Sequence, residues 1–251
     1  MNAFFHALAF LTRIPLPVRL GEEGYRESPM WYPLIGFLLG GILFLFDQGI
    51  AGWFPTPVRV LLDLSAWVFL TGGLHLDGWM DVADGFGSHR EPNKIREIMK
   101  DSRVGAMGVI AAILLLLLKA GALFVLAGYS TASFAWVWIT ACIWGRMAAV
   151  TGIRFFPYAG KDGLGKGMRE HLTWPRFAWA LFCAILPTAA VLGSIGLISG
   201  LLAVLTVVGI GWKATKTMGG CTGDLYGAMI EAAELIWLLF FTIPGVLSSC
   251  D

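Results

Sequence analysis

The sequence predicts an all-α polytopic membrane protein of about seven transmembrane helices, with the N-terminus cytoplasmic and the C-terminus outside. Three observations carry this. Hydrophobic residues make up 57% of the 251 residues and charged residues 14%, with a mean hydropathy of +0.73. A soluble domain is about a quarter charged, so these few charges cannot cover a water-facing surface of this size. Apolar runs near the roughly 20 residues needed to cross hydrocarbon recur along the whole chain. Cations, finally, gather in alternate loops. We read residues 1–251 as one integral membrane domain.

Residues 1–28 begin with AFFHALAFLT, too short to span and ended by Arg13, Pro15 and Pro17, which suits an interfacial or partly inserted segment. Trp31–Gly52 is the first span, with aromatic anchors at its ends and a GxxxG pair, Gly36 and Gly40, for close helix packing. Asp47 is placed near the interface at its far end. Pro55 and Pro57 turn the chain into a second span, Val58–Leu76, which runs straight into the acidic segment 77–105. Ala106–Leu126 and Phe134–Ile153 are the third and fourth spans, interrupted by Lys119 and Arg146. The polar segment 154–176 precedes two spans with almost no linker, Phe177–Leu192 and Ile195–Trp212. The polar segment 213–234 leads into the last span, Leu235–Val246, which begins inside Ala228–Glu234 as one helix.

Charge sets the orientation. Placing residues 1–28 on the same side as the three polar segments puts fifteen of the eighteen Lys and Arg residues there, Arg19, Lys161 and Lys166 among them. Only Arg59 falls on the other side, so the positive-inside rule makes the first side cytoplasmic. The three polar segments can then form one site. The net charge of +1 argues against a nucleic-acid partner. Cys142, Cys183, Cys221 and Cys250 lack metal-ligand spacing, the N-terminus does not have the pattern of a cleaved signal peptide, and no solenoid repeat or inverted pair of broken helices is visible.

The stretch His75–Gly105 holds six of the seventeen carboxylates and five of the eighteen Lys and Arg. Asp77, Asp81 and Asp84 fall at i, i+4 and i+7, one face of a helix. Like charges so arranged call for a cation, and hard oxygen ligands suit Mg²⁺, which takes a few carboxylates together with phosphate oxygens. Glu97 and Asp101 form a second pair at i, i+4, and two such pairs can hold two metal ions across a pyrophosphate. Asp224, Glu231 and Glu234 form a third acidic set. The plain alternative for each set is a solvated face with ion pairs such as Glu97 with Lys100. Carboxylates abutting membrane spans weigh against it, because ionisable groups there are costly. Lys100 and Arg103 are candidate phosphate ligands, with positive-inside duty as the alternative. Arg146, inside a span, either pairs with an inward carboxylate or binds an anionic substrate. His75, beside Asp77, is either a supporting partner of the metal ligands or an interfacial histidine. The glycines of KDGLGKGMRE and MGGCTGD match no P-loop, and no nucleophile–base arrangement stands out.

GGLHLDGWMDVADGF, EIMKDSRVGAMGV and GGCTGDLYGAMIEAAEL, with FLTRIPLP and PLIGFLLG near the N-terminus, resemble the cobalamin synthase family (adenosylcobinamide-GDP ribazoletransferase, or cobalamin-5′-phosphate synthase) over nearly the whole chain. The aspartate pattern is also similar to that of CDP-alcohol phosphotransferases, without their full DxxDGxxAR…GxxxDxxxD arrangement. The first resemblance implies a multi-pass enzyme of the bacterial inner membrane with its active site on the cytoplasmic face. Such an enzyme uses Mg²⁺ to join adenosylcobinamide-GDP to α-ribazole or its 5′-phosphate, releasing GMP. It implies metal binding by Asp77, Asp81 and Asp84, with Asp101 beside them. On that basis Asp84 or Asp101 takes the proton from the attacking ribazole 5′-oxygen, and Lys100, Arg103 and Arg146 clamp phosphate. A proton-coupled transporter and a structural subunit whose acidic loop docks a soluble partner are the competing readings. A transporter calls for carboxylates near the bilayer midplane rather than at span ends on one side. The oligomeric state stays open, a homo-oligomer included.

Overall fold

The computed structural model describes residues 2–16, 22–160, 165 and 167–247, and with them an all-helical chain without strands. Arg19, Lys161, Lys166 and Cys250 lie outside the described residues. The helices are α1 (Asn2–Leu11), α2 (Glu22–Glu27), α3 (Tyr32–Ile50), α4 (Thr56–Leu70), α5 (Leu74–Gly87), α6 (Pro92–Ile98), α7 (Ala106–Leu126), α8 (Thr131–Phe155), α9 (Met168–His171), α10 (Trp174–Met218) and α11 (Gly223–Phe241). A 3₁₀ turn, Ser28–Trp31, joins α2 to α3.

The segments Gly24–Ile50, Ala106–Leu126, Thr131–Phe155 and Trp174–Met218 are long and apolar enough to cross a membrane. α4 and α5 qualify only as a pair, and they are bent by 87°. The second span expected from sequence therefore ends at Leu70 rather than Leu76. Gly72 and Gly73 both take left-handed φ angles, 66° and 70°, which break the helix. The aspartate-bearing α5 thus leaves its bundle helix at nearly a right angle and lies outside the four spans.

α8 is the axis of the bundle. It is apolar all round, without a polar face, and is buried from Ser133 to Ile153, as such a helix must be. α3, α10 and α11 pack on it. The α3 contact is made through the GxxxG pair: a Cβ added to Gly40 would stand 2.7 Å from Ile139 Cα, so the two backbones touch. The outward faces of α3, α7 and α10 expose leucines and phenylalanines such as Leu45, Leu117 and Leu201, the surface a lipid environment requires. Asp47, near the end of α3, is fully buried, and its Oδ1 lies 2.8 Å from Arg59 Nε on α4.

α10 folds back on itself at Gly193, whose φ of 55° and ψ of −143° are not helical. The Trp144 indole N–H donates to Thr188 Oγ1 at 2.9 Å, and a Cβ on Gly200 would stand 2.5 Å from the same ring. A straight helix would hold residues 188 and 200 about 18 Å apart. Both ends of α10 also return to one end of α8, where Trp174 meets Phe155 and Gly211 meets Phe156. The two arms are roughly 28 and 37 Å long, each of spanning length. The two arms follow one another without a linker, as the two apolar runs Phe177–Leu192 and Ile195–Trp212 do in the sequence.

Candidate active site

α5 carries the first acidic set, and α11 crosses it at close range. A Cβ on Gly78 would stand 2.6 Å from the Asp224 carbonyl oxygen, so glycine at this position lets the two backbones meet. That crossing brings Asp77 and Asp81 of α5 together with Asp224 in the first turn of α11. Thr222 caps α11, its Oγ1 accepting from Leu225 N–H at 3.4 Å and donating to Asp224 Oδ2 at 3.3 Å.

Electrostatics registers the crowding. Burial, followed by the charges of Asp77, Asp224 and Asp84, pushes Asp81 up to about 7. Burial and Asp77 also raise Asp224, against the Thr222 hydroxyl and the more distant Lys100. Among the described residues neither Asp77 nor Asp81 has an ion-pair partner.

The other predicted residues divide among three places. Asp84 closes over the start of α7: its two oxygens accept from the Gly105 and Gly108 N–H groups, each at 2.8 Å. Asp101 is gripped by Arg103, accepting from its backbone N–H at 3.1 Å and its Nη2 at 2.6 Å. That guanidinium, 88% exposed in the side chain, holds Asp101 down at about 2. Glu97 pairs with Lys94 at 2.9 Å. Glu231 and Glu234 leave Asp224 behind and enter the bundle. Lys119 Nζ lies 2.5 Å from both carboxylates, and Arg146 pairs with Glu234. Of the two roles open to Arg146, the structure therefore shows pairing with a carboxylate.

A cavity of about 810 Å³ opens beside the acidic cluster. Asp77, Glu97, Lys100 and Asp224 line it, as does His75, whose Nε2 is buried without a hydrogen-bond partner. Arg96 braces its edge, donating to Met218 O at 2.9 Å and Asn93 Oδ1 at 2.8 Å. Asp77 also lines a shallower groove between α1 and the α4–α5 bend, lined too by Arg13. No three acidic, histidine or cysteine side chains among the described residues form a complete metal cage. A magnesium site needs only one or two carboxylates when a substrate phosphate supplies the remaining oxygens, and Asp77 and Asp81, without ion-pair partners among the described residues, fit that requirement.

Sequence reasoning missed one wall of the cavity. Tyr25 and Tyr32 reach it from the N-terminal region, Tyr158 from the loop after α8, and Tyr226 from α11. A tyrosine near the end of a span is explained equally well by the membrane interface, so no pattern set these four apart.

The family model for cobalamin-5-phosphate synthase matches residues 3–242. An adenosylcobinamide-GDP ribazoletransferase of Brevibacillus brevis is 42% identical over 242 residues, covering 95% of this chain and 97% of its own. Proteins of the same name from Desulfitobacterium hafniense and Klebsiella pneumoniae subsp. pneumoniae are 39% and 36% identical, each across 95% of this chain and 96% and 98% of their own. No solved structure matches. The chain belongs to the cobalamin-5-phosphate synthase family.

Proposed function

We propose that this protein is a membrane transferase that joins the corrinoid half of adenosylcobinamide-GDP to ribazole, or to its 5′-phosphate, and releases GMP. The observation that carries the proposal is the convergence of Asp77, Asp81 and Asp224, without cationic partners, beside a cavity in a chain of this family. Mg²⁺ held by Asp77 and Asp81 supplies neutralising charge for a pyrophosphate and its departing phosphate.

The chain's own residues do the rest. Lys100 on the cavity lip meets phosphate oxygens, with Arg103 farther out. Asp224, raised by burial, is a better proton acceptor near neutral pH than Asp101, which Arg103 holds strongly acidic. Asp84 has both oxygens engaged by backbone N–H groups, which favours a positioning role. A hydroxyl of the acceptor ribose forms the new P–O bond, its proton passes to Asp224, and the P–O bond to GMP breaks. The attacking atom is not the 5′-oxygen suggested by the sequence reading. A product named cobalamin 5-phosphate keeps that oxygen esterified, so another ribose hydroxyl must attack.

The excess of Lys and Arg in the loops around the site supports a cavity mouth on the cytoplasmic face, and the family resemblance supports a bacterial inner-membrane setting. In this reading α3, α4, α7, α8, the two arms of α10 and α11 make the seven passes, with α5 turned out of the bundle on the cytoplasmic side of α4. Detergent-solubilised protein given adenosylcobinamide-GDP, α-ribazole and Mg²⁺ should release GMP, and Asp77→Asn should abolish release while the protein still inserts. Wild-type turnover by Asp77→Asn, or full turnover in EDTA, would overturn the reading.

A further inference from the structure

The cavity has two chemically different ends. Asp77, Asn93, Glu97 and Lys100 form an exposed, charged lip. Leu11, Tyr32, Ile153, Met168 and Ile230 form a buried floor without a charged group. Aromatic rings stand around that floor in fixed poses. Phe10 meets Tyr25 edge-on at 5.6 Å and stacks on Tyr32 at 6.2 Å. A Cβ on Gly160 or Gly165 would stand 2.7 or 2.5 Å from the Tyr158 ring, so the loop after α8 is moulded onto that tyrosine.

Two polar atoms on the wall, Tyr25 Oη and His75 Nε2, are buried and make no hydrogen bond among the described residues, while Tyr32 Oη has the Ser28 hydroxyl as a neighbour. Tyr32 and His75 are each 2% exposed. Orphaned polar atoms inside a protein are costly and are normally satisfied. Two of them, with the Tyr32 hydroxyl beside them, on one aromatic-lined cavity describe a mould for a ligand with polar ring atoms and a flat apolar body.

We propose that this floor seats the heteroaromatic base of the acceptor nucleoside, and that the acceptor binds beneath the donor and before it. The inference rests on the function proposed above. Size supports the order: about 810 Å³ admits a nucleoside, whereas a corrin ring joined to a nucleotide is far larger and must remain mostly outside. Polarity supports the choice of ring. A benzimidazole-type base has a broad apolar face and one free ring nitrogen, which a phenol O–H satisfies. Guanine presents a dense edge of donors and acceptors that the uncharged floor does not match. With the base on the floor, the ribose hydroxyls point towards Asp224 and the lip.

The test is binding of α-ribazole alone to the full-length protein in detergent, without donor and with EDTA, followed by fluorescence of the base. Saturable binding is expected. Tyr25→Phe with Tyr32→Phe keeps both rings and removes two hydroxyls from the cavity wall, so it should weaken that binding about tenfold. In the GMP-release assay the same variant should raise the KM for α-ribazole rather than lower kcat, leaving the donor KM in place. Guanosine should not compete. Wild-type protein that releases GMP yet binds α-ribazole only after the donor, or a double variant that shifts the donor KM, would overturn the proposal. Binding of α-ribazole without any GMP release would leave the subsite standing and sink the transferase reading.

Discussion

The Lys119 ammonium on α7 stands 2.5 Å from the Glu231 carboxylate on α11, both groups inside the bundle. Glu234 takes a second contact from Lys119 and pairs with Arg146 on α8, while the Trp67 ring lies 4.5 Å from Lys119 Nζ. Two cations and two anions thus cancel where three helices meet.

Removing one member leaves a buried charge without its counterpart. Lys119→Met should lower stability by about 3–5 kcal/mol, whereas Lys119→Met combined with Glu231→Gln should recover part of the loss. Thermal unfolding in detergent measures both. A Lys119→Met protein with unchanged stability but no activity would instead place this cluster in catalysis.

Asp84 and Asp77 share a helix face but should fail differently. Asp84→Ala removes both acceptors at the start of α7 and should cost about 1–2 kcal/mol, the size of a lost helix cap. Asp77→Asn should leave unfolding unchanged and remove metal-dependent turnover. Urea titration and Mg²⁺ binding on the two variants separate the effects.

Asp81 gives the metal site a pH dependence. Without metal its carboxyl loses the proton near pH 7 rather than at the ordinary 3.8. Magnesium must displace that proton below neutrality, so apparent Mg²⁺ affinity should fall as pH drops through about 7. Calorimetry in buffers of different ionisation enthalpy should detect the released proton. The sign for folding is the reverse. The native state holds the proton more tightly than the unfolded chain, so metal-free stability should decline as pH rises from about 4 to 7. Asp81→Asn should flatten both profiles.

The reversal at Gly193 fixes a topology that labelling can read. A cysteine at Ser194 should react with an impermeant reagent from outside the cell, and one at Ser102 only from the cytoplasm. Gly193→Val should cost about 1–3 kcal/mol, since φ 55° with ψ −143° is barely open to residues with a side chain. Labelling of both positions from the same side would refute the hairpin orientation.

The sequence by itself determined the chemical class of the molecule. Composition and run length identify apolar helices, and a spacing of 3.6 residues per turn puts Asp77, Asp81 and Asp84 on one face of α5. GxxxG spacing likewise announced a close-packing face on α3, though not its partner. These are local signals, carried by neighbours in the chain.

Only the tertiary structure decided which carboxylates remain free. Asp224 and Glu231 look equivalent as members of one acidic set, yet α11 leaves Asp224 against α5 at the cavity and carries Glu231 inward to Lys119, 112 residues away in sequence. Asp84 was assigned to α7 by two backbone N–H groups more than twenty residues away. Periodicity says which way a side chain points along its own helix, but the groups that meet it there belong to other helices. Their charge and distance set its protonation and its role.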